Sequence, residues 1–379
     1  MEEKSPPLYK KKANVIKKIV LLFLLWRVIL FLPILIANQF IPYRVGYDYT
    51  SINYFIGKTQ SLLSNFLLSS FANFDGVYYL LIAGNGYTVN AGFFPLFSLS
   101  IHFLASFFGN TLPFSEIQFF LAFFLVSLFF LTGLIFLYKL LIIDYKKKIA
   151  FAAISMMLLF PSSFFFAAIY SESLFLLLLV LSFYFARKRN WLFASIFGML
   201  LTATRFVGIA IFPALLYEFY VGEKTFIKAK ALTLLAVPLG LIAYIFYNLQ
   251  KWGDAFYFIQ AQGNFQNNRE TEGIILFPQT IFRYIKIFFT VSPKQYEWFA
   301  ALLELSAFIF ASVMFYIAWK KKIRLSYLIF SIIAFLIPVS TGTFSGLPRY
   351  ILPLFPIFLA LALIKSQLVK IVKQFFLSR

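Results

Sequence analysis

The sequence contains no cysteine and only one histidine, His102, among its 379 residues. The lack of cysteine excludes disulfide bonds, a thiolate nucleophile and thiolate metal centres, and a single histidine excludes a histidine-cluster metal site. Charged residues are scarce as well, since they form 13% of the chain and only 14 of them are Asp or Glu. We therefore expect neither a metal ion nor another cofactor.

Apolar side chains take the place of the missing polar ones. Hydrophobic residues make up 61% of the sequence, which includes 54 Phe and 22 Tyr, and the mean hydropathy is +0.85. This composition is typical of a polytopic membrane protein and not of a soluble domain. We predict an all-α polytopic integral membrane protein whose residues 1–379 form one transmembrane domain.

The formal net charge of +20 comes from short basic clusters between apolar segments. No soluble basic domain is visible, so we expect no nucleic-acid partner, and the clusters instead suit contact with anionic membrane lipids. Under the positive-inside rule they mark the cytoplasmic side, and both termini with it. The clusters lie at residues 4–18, 146–148, 187–189, 224–230, 320–324 and 365–379.

About ten helices are predicted to cross the membrane between these clusters. The first resembles a signal peptide, but its apolar run approaches spanning length and no clean cleavage site follows, so we expect a retained signal-anchor helix. The predicted helices cover residues 16–38, 114–143, 149–168, 170–187, 191–204, 205–221, 231–250, 296–319, 325–341 and 350–368.

Three further segments are not expected to cross. Residues 93–108 contain Pro95 and His102 and are followed by the break Gly109-Asn110, which favours a re-entrant element on the outer side. Residues 274–291 and the mildly amphipathic stretch 52–70 are predicted to lie at the interface. Irregular backbone at membrane depth requires surrounding protein or a water-filled cavity, so we expect a cavity in the outer half. Two outer loops, at residues 39–92 and 251–295, flank it.

Residues 71–97 are the least lipid-like part of the chain. Asp75 lies in an Asn-Phe-Asp-Gly sequence, and Tyr78 and Tyr79 follow it closely. A carboxylate there can take a proton from an acceptor hydroxyl as a general base, or it can cap the helix that follows, and the two roles are compatible. Gly86 is the residue type expected at the C-terminal end of that helix. A phosphate-binding loop is also possible, but a single Gly-x-Gly is weak evidence for one.

Isolated charges interrupt the apolar sequence at other predicted helix ends. Glu172 begins a helix, where the dipole favours an acid, so structural and functional roles both stay open. Arg205 and Arg349 can snorkel, or bind a carboxylate or a lipid phosphate in a forked contact, and their shared face favours the phosphate. Arg27 and Glu304 lie within predicted spans and are expected to pair helices.

The loop that begins at residue 251 combines aromatic and amide side chains. Trp252 and Asp254 open it, and Gln262 lies among further amides. Sugar-binding surfaces combine aromatic platforms with amides that hydrogen-bond hydroxyl groups. The same composition is also ordinary for an exposed loop, so both interpretations stay open.

These motifs occur in order between about residue 20 and residue 365. They read Phe74-Asp75, Tyr78-Tyr79-Leu80, Ile82-Ala83, Gly86-Tyr87, Phe93-Phe94-Pro95-Leu96, Pro161-Ser162, Tyr170-Ser171-Glu172-Ser173-Leu174-Phe175, Thr204-Arg205 with Gly208, Trp252-Gly253-Asp254 with Phe258 and Gln262, and Arg349-Tyr350 before Pro353 and Pro356. In this order the chain resembles the PIG-V-like family of membrane mannosyltransferases, within the GT-C class that uses polyprenyl-phosphate sugars. Many relatives have Trp and His where this chain has Phe74 and Tyr78.

The resemblance implies a GT-C-like fold and an inverting glycosyltransferase. The enzyme would move a sugar, mannose in this family, from a polyprenyl-phosphate donor to a hydroxyl of a glycan, glycolipid or protein acceptor at the outer face of the plasma membrane or, in a eukaryote, the lumenal face of the ER. It implies Asp75 as the base and Arg349 and Arg205 as ligands of the donor phosphate. Substrate-positioning roles fall to Tyr78, Tyr79, Glu172, Trp252, Asp254, Gln262 and Tyr350.

Two other functional classes fit part of the sequence. A transporter or flippase of lipid-linked sugars would also have about ten helices and intramembrane charges. Transporters commonly contain repeated halves with functional charges at the midplane, whereas this chain shows no repeat and its candidate residues share one face. A non-catalytic assembly subunit is the third class, and the joint presence of Asp75, Glu172 and Arg349 speaks against it.

Overall fold

The computed structural model describes residues 8–40, 50–52, 66–88, 91–225, 229–264, 269–271 and 273–377. Most of the predicted interfacial stretch 52–70 therefore lies outside the described residues, as do parts of the two predicted outer loops. Within the described ranges the only extended pairing is an isolated bridge between Ile275 and Thr341. The remaining secondary structure is helical.

The helices are numbered in chain order. They are α1 (Leu8–Ile29), α2 (Phe31–Phe40), α3 (Phe66–Ser69), α4 (Asp75–Asn85), α5 (Pro95–Phe107), α6 (Glu116–Leu141), α7 (Lys147–Leu158), α8 (Glu172–Arg187), α9 (Trp191–Thr202), α10 (Ile211–Glu223), α11 (Leu239–Trp252), α12 (Tyr257–Gln260), α13 (Phe277–Thr290), α14 (Tyr296–Lys320), α15 (Leu325–Val339), α16 (Leu347–Tyr350) and α17 (Phe355–Leu377). Short 3-10 segments lie at Ser163–Phe166, Phe206–Ala210, Ala229–Ala236 and Ala261–Asn264.

The prediction of an all-α polytopic membrane protein is confirmed. By length and composition, five helical segments of the described chain are able to cross a membrane, and several apolar helices are shorter. Large apolar side chains cover the outside, such as Phe289 at 86% and Leu159 at 79% exposure, a surface that suits lipid and not water. The five segments are Val15–Ala37, Glu116–Leu141, Phe206–Glu223, Ala229–Trp252 and Tyr296–Lys320.

Several predicted spans are interrupted, and one of these breaks follows α7. A helix was expected over residues 149–168, but α7 ends at Leu158 and a 3-10 turn follows at Ser163–Phe166. Pro161 explains the break, because it lacks a backbone N–H and disfavours helical geometry in the residue before it. Like α9, α7 has 12 residues, about 18 Å of helix against a hydrocarbon layer of about 30 Å. Both therefore end at membrane depth.

An ion-pair cluster joins the ends of four helices, or the turns beside them, at one end of the bundle, here called the basic end. Arg187 Nη2 donates to Asp144 Oδ1 over 2.8 Å, and Arg324 Nε donates to Glu218 Oε2 over 2.7 Å. Ser326 Oγ donates to the same Glu218 oxygen over 2.7 Å. These contacts bring the predicted basic clusters near residues 146, 187 and 322 together at one end.

At the opposite end, here called the site end, α4 and α5 lie side by side. Ser98 Oγ donates to the Tyr79 carbonyl over 3.0 Å, and His102 Nδ1 lies 2.6 Å from the Ala83 carbonyl oxygen. In both pairs the residue of α5 follows its partner in α4 by 19 positions, so the two helices run in the same direction. Gln118 Nε2 donates to the Leu80 carbonyl, so α6 starts beside α4. Because Phe94, which precedes α5, lines the same cavity as Asp75 at the start of α4, both helices begin at the site end.

Candidate active site

A cavity of about 360 Å³ opens at the site end, a volume within the usual range for small-molecule sites. Its lining carries three arginines and two carboxylates, one of which belongs to Glu270. Six of the residues predicted from sequence line it together, although they come from distant parts of the chain. They are Asp75, Tyr79, Arg205, Gln262, Arg349 and Tyr350.

Four charged side chains form an alternating chain along the cavity floor. Arg349 Nη1 donates to Asp75 Oδ2 over 2.5 Å. Arg349 Nε lies 2.9 Å from Glu172 Oε1, close enough for an ion pair although its N–H meets no hydrogen-bond acceptor. Arg205 Nη1 donates to that same Glu172 oxygen over 2.5 Å. Glu172 is only 1% exposed, and a buried carboxylate needs positive partners to offset the loss of hydration. Two guanidinium groups balance its charge, and Glu172 in turn holds both of them in place.

Two hydrogen bonds hold the backbone that leads into Asp75. Phe74 before it has φ +55°, a left-handed value that is uncommon for a residue other than glycine, and its N–H donates to the Thr50 carbonyl over 2.7 Å. Tyr170 donates its hydroxyl to the Asn73 carbonyl over 3.0 Å. Asp75 is the first residue of α4, and Gly86 with φ +70° ends that helix as predicted.

The start of α8 determines the position of Glu172. As the first residue of this helix, it lies where the helix dipole favours a negative charge. Ser171 Oγ accepts a hydrogen bond from the Tyr79 hydroxyl over 2.8 Å. This bond ties α4 to the start of α8, so both Asp75 and Glu172 are held against the Arg349 guanidinium.

Arg349 lies in the short helix α16, which is anchored to the turn that follows α7. Ser162 Oγ donates to the Pro348 carbonyl over 2.6 Å. The guanidinium lies 5.3 Å from the ring centre of Tyr170 and 5.7 Å from that of Phe165, within cation–π range. The break at Pro161 therefore places the residues that hold Arg349.

Arg205 has an extended backbone conformation and connects α9 to the 3-10 segment Phe206–Ala210. The chain can fold back so tightly only because Gly208 follows, since a Cβ there would lie 2.6 Å from the Leu201 carbonyl oxygen. The Thr204-Arg205 and Gly208 motif is thus one structural unit that presents the guanidinium to the cavity.

Arg269 was missed by the sequence argument. It lines the cavity, and its Nη2 donates to the Tyr350 hydroxyl over 2.7 Å and to the Ser345 carbonyl over 3.1 Å. Its Nη1 donates to Gln262 Oε1 over 3.2 Å. In the sequence Arg269 is one of many polar residues between positions 251 and 271, and no local pattern distinguishes it from its neighbours.

Tyr350 lies among three guanidinium groups. Its ring centre is 4.9 Å from the Arg205 guanidinium and 5.3 Å from those of Arg269 and Arg349. Burial opposes ionisation of the phenol, but the three positive charges outweigh it and lower the pKa of Tyr350 to about 8. The cavity wall therefore stabilises negative charge at this position.

Four residues with predicted substrate contacts lie outside the cavity lining. Glu172 is buried beneath it, and Tyr78 stacks on Phe93 at 5.0 Å. Trp252 stacks on Tyr257, and Asp254 accepts from the Phe256 N–H and from Gln260 Nε2, so both shape α12. Of that loop, Gln262 reaches the cavity, where its Nε2 donates to the Gly92 carbonyl over 3.0 Å.

The two charges predicted to pair helices have structural partners. Arg27 Nη1 donates to the Ala167 carbonyl over 2.9 Å, which joins α1 to the turn before α8. Glu304 Oε2 accepts from the Tyr284 hydroxyl over 2.5 Å, and Glu304 Oε1 accepts from the Gly346 N–H over 3.3 Å. Glu304 therefore fixes the loop that leads into α16.

The described residues contain no group of three or more His, Asp or Glu side chains placed to hold a metal ion. Of the two carboxylates in the cavity lining, Asp75 is the one in direct contact with a lining guanidinium group, that of Arg349. Such a site can accept a proton from a hydroxyl group and stabilise a phosphate at the same time.

Comparison with known families agrees with this chemistry. The family model for Mannosyltransferase (PIG-V) matches residues 16–215, more than half of the chain, and confirms the resemblance drawn from the motifs. The matched range contains Asp75, Glu172 and Arg205, whereas Arg269 and Arg349 follow it. Neither curated proteins nor solved structures give a match. The chain belongs to the PIG-V mannosyltransferase family, which makes it a glycosyltransferase.

Proposed function

We propose that the protein transfers mannose from a polyprenyl-phosphate donor to an acceptor hydroxyl, with inversion at the anomeric carbon. One observation carries the proposal, the contact chain from Asp75 through Arg349 and Glu172 to Arg205 on the floor of one cavity. It combines a proton acceptor with cationic groups, which is what transfer from a sugar phosphate requires.

Asp75 is the proposed general base. Arg349 takes one of its oxygens, and Oδ1 accepts no hydrogen bond from the described residues, so that oxygen is open to an acceptor hydroxyl. The acceptor oxygen forms a bond to the anomeric carbon while the bond from that carbon to the phosphate oxygen breaks. The hydroxyl proton passes to Asp75. The leaving phosphate monoester is stable as an anion, so the scheme needs no second carboxylic acid and no metal ion or other cofactor.

Guanidinium groups are the proposed ligands of the donor phosphate. Arg205, Arg269 and Arg349 all line the cavity and all lie within 5.3 Å of the Tyr350 ring. Arginine binds phosphate in a forked contact and keeps its charge at every physiological pH. Negative charge that develops on the leaving phosphate is stabilised there without rearrangement of solvent.

The remaining residues divide into two groups. Tyr79, Gln262 and Tyr350 line the cavity and are proposed to contact sugar or acceptor. Glu172, beneath the floor, is proposed as a positioning residue because it holds Arg205 and Arg349. We assign Trp252 and Asp254 to the support of the loop that carries Gln262.

The proposed orientation puts the site end outside and the basic end in the cytoplasm, at the plasma membrane of a prokaryote or the ER membrane of a eukaryote. The basic clusters support it through the positive-inside rule. A lipid-linked donor fits this orientation, because its chain stays in the bilayer while its phosphate lies at membrane depth in the cavity.

The test is a transfer assay with purified protein in lipid. Radiolabelled mannose is offered as polyprenyl-phosphate mannose or as GDP-mannose, together with candidate glycan, glycolipid and protein acceptors, and the product's anomeric configuration is determined by NMR. We expect transfer from the lipid-linked donor alone, with inversion. Transfer from GDP-mannose or retention would contradict the proposed donor or mechanism. Counterflow of the lipid-linked sugar without transfer would instead support a transporter.

A further inference from the structure

Arg27 is a buried arginine in the apolar segment Val15–Ala37, which is long enough to cross a membrane, and it is 9% exposed. Among the described residues it has no carboxylate partner, and its Nε and Nη2 groups donate no hydrogen bond. Burial of a charge and of two unsatisfied N–H groups destabilises a fold. An ionisable side chain at membrane depth is for this reason a functional candidate.

The Arg27 guanidinium packs against two phenylalanine rings. Its central carbon is 4.9 Å from the ring centre of Phe71 and 4.1 Å from that of Phe123. Cation–π contacts are strongest where water is excluded, as it is around this buried residue. Phe71 precedes Asp75 by four positions, so these contacts hold the segment that leads into the proposed base.

The hydrogen bonds of α1 reach the segment that carries the second carboxylate. Arg27 Nη1 donates to the Ala167 carbonyl over 2.9 Å, and Ala167 precedes Glu172 by five positions. The neighbouring Trp26 donates its Nε1–H to Ser163 Oγ over 3.1 Å. Helix α1 therefore holds the 3-10 segment that precedes α8 at both of its ends.

Further contacts connect these two segments to each other and to the cavity floor. The Ile169 N–H donates to the Phe71 carbonyl over 2.7 Å. The Tyr170 hydroxyl donates to the Asn73 carbonyl over 3.0 Å, and its ring centre lies 5.3 Å from the Arg349 guanidinium. A shift of either segment would therefore displace this guanidinium relative to the proposed base.

We propose that Arg27 positions the active site by clamping together the two segments that carry Asp75 and Glu172. Both carboxylates contact Arg349, so the clamp sets where this guanidinium meets the donor phosphate. The inference rests on the proposed function, in which Arg349 is a ligand of that phosphate. Arg27 lies outside the cavity lining, so it acts through these residues and touches no reacting atom.

The first test is Arg27→Met in the full-length protein in detergent. It measures the dissociation constant of radiolabelled polyprenyl phosphate and the thermal unfolding midpoint. Affinity should fall about tenfold, the value of one charge-assisted hydrogen bond to phosphate. The unfolding midpoint should stay close to that of the wild type or exceed it, because an apolar side chain replaces an unpaired buried charge.

Ile19→Ala is the matched control, because Ile19 is also buried on α1 and lies about two turns before Arg27. The space that this change leaves should lower the unfolding midpoint, while the affinity for polyprenyl phosphate stays at the wild-type value. A purely structural Arg27 predicts the reverse for its own variant, a lower midpoint in Arg27→Met with unchanged affinity. That result would overturn the inference.

Phe123→Leu tests the clamp without removing the charge, so it decides the question if Arg27→Met does not fold. It removes the ring nearest to the guanidinium and should weaken polyprenyl phosphate binding by about two- to fivefold, the value of one cation–π contact. Phe124→Leu is its control, because Phe124 is 56% exposed on the same helix and outside these contacts. Equal affinity in Phe123→Leu and Phe124→Leu would overturn the inference.

Polyprenyl phosphate carries no sugar, so its binding is measured without transfer. If Arg27→Met binds it more weakly but the wild type transfers no mannose, the positioning role stands and the proposed function fails. If the wild type transfers mannose from the lipid-linked donor, and Arg27→Met binds and transfers as the wild type does, the proposed function stands and the positioning role is wrong.

Discussion

Arg349 donates a hydrogen bond to Asp75 across 274 positions of sequence. The base of the proposed reaction and a ligand of the leaving phosphate are thereby held in contact, although they lie near opposite ends of the chain. Glu172 binds the other side of the same guanidinium. The site is therefore complete only when the last helices have packed against the first ones.

Loss of Arg349 should destabilise the protein more than loss of Asp75. Arg349→Gln leaves Asp75 and the buried Glu172 without this partner, at a cost of about 3 kcal/mol or more, because an unpaired buried charge is expensive. Adding Asp75→Asn to Arg349→Gln should recover part of the loss. The measurement is the thermal unfolding midpoint in detergent.

Arg283→Gln is the control for that series, because Arg283 donates to the Gly342 carbonyl near the same loop but outside the ion-pair chain. It should unfold close to the wild-type temperature. Strictly additive effects of Asp75→Asn and Arg349→Gln would mean that the two residues are not coupled.

Most of the charged residues that line the candidate site could be predicted because they are chemically conspicuous. Asp75, Glu172, Arg205 and Arg349 are charges in apolar sequence, where ionisable groups are costly and functional by default. Arg269 could not be found this way, since it lies among other polar residues and acquires its role only by contact with Tyr350, 81 positions away.

The helices were predicted well for a similar reason. Long apolar runs fixed α6, α8, α14 and α15 to within a few residues. The sequence argument failed where proline divides an apolar run, because hydropathy alone read residues 149–168 as continuous. The break allows Ser162 to donate a hydrogen bond to the Pro348 carbonyl, beside Arg349. The wrongly predicted segment therefore contributes to the candidate site.

Neutralising Glu172 should impair donor use without removing the base. Glu172→Gln takes the shared carboxylate from Arg205 and Arg349, a loss of about 1–3 kcal/mol, or roughly tenfold to hundredfold in kcat/KM for the donor. We expect the larger part in KM. Glu116→Gln is the matched control, since Glu116 also begins an apolar helix but lies outside the cavity lining. Equal effects of both would reduce Glu172 to a helix-end charge.

Donor binding should weaken as pH rises through about 8. The pKa of Tyr350 is lowered to about 8, so the phenol is neutral below this pH and becomes an anion above it. A phenolate among Arg205, Arg269 and Arg349 competes with the donor phosphate for the same charges, so the KM for the donor rises at alkaline pH. A phosphodiester donor does not titrate in this range.

Steady-state KM between pH 6 and pH 9.5 checks this prediction. Tyr350→Phe should flatten the alkaline rise, while Tyr257→Phe, outside the cavity lining, should keep it. An alkaline rise that persists in Tyr350→Phe would assign the titration to another group.

The proposed orientation is testable because the chain has no native cysteine. Gly263→Cys introduces a single thiol at an exposed residue of the site end, and Lys148→Cys introduces one at the basic end. A membrane-impermeant maleimide added to intact cells should label the first and not the second. The opposite pattern would put the site on the cytoplasmic face.

The most direct test of the account compares Asp75→Asn with Asp254→Asn in single-turnover transfer from bound polyprenyl-phosphate mannose. Both variants neutralise one carboxylate, but only Asp75 lines the cavity, whereas Asp254 caps a loop turn. We expect Asp75→Asn to transfer about 10²–10⁴-fold more slowly, the usual contribution of a general base, and Asp254→Asn to transfer at close to the wild-type rate. Full turnover by Asp75→Asn would contradict the assignment of the base.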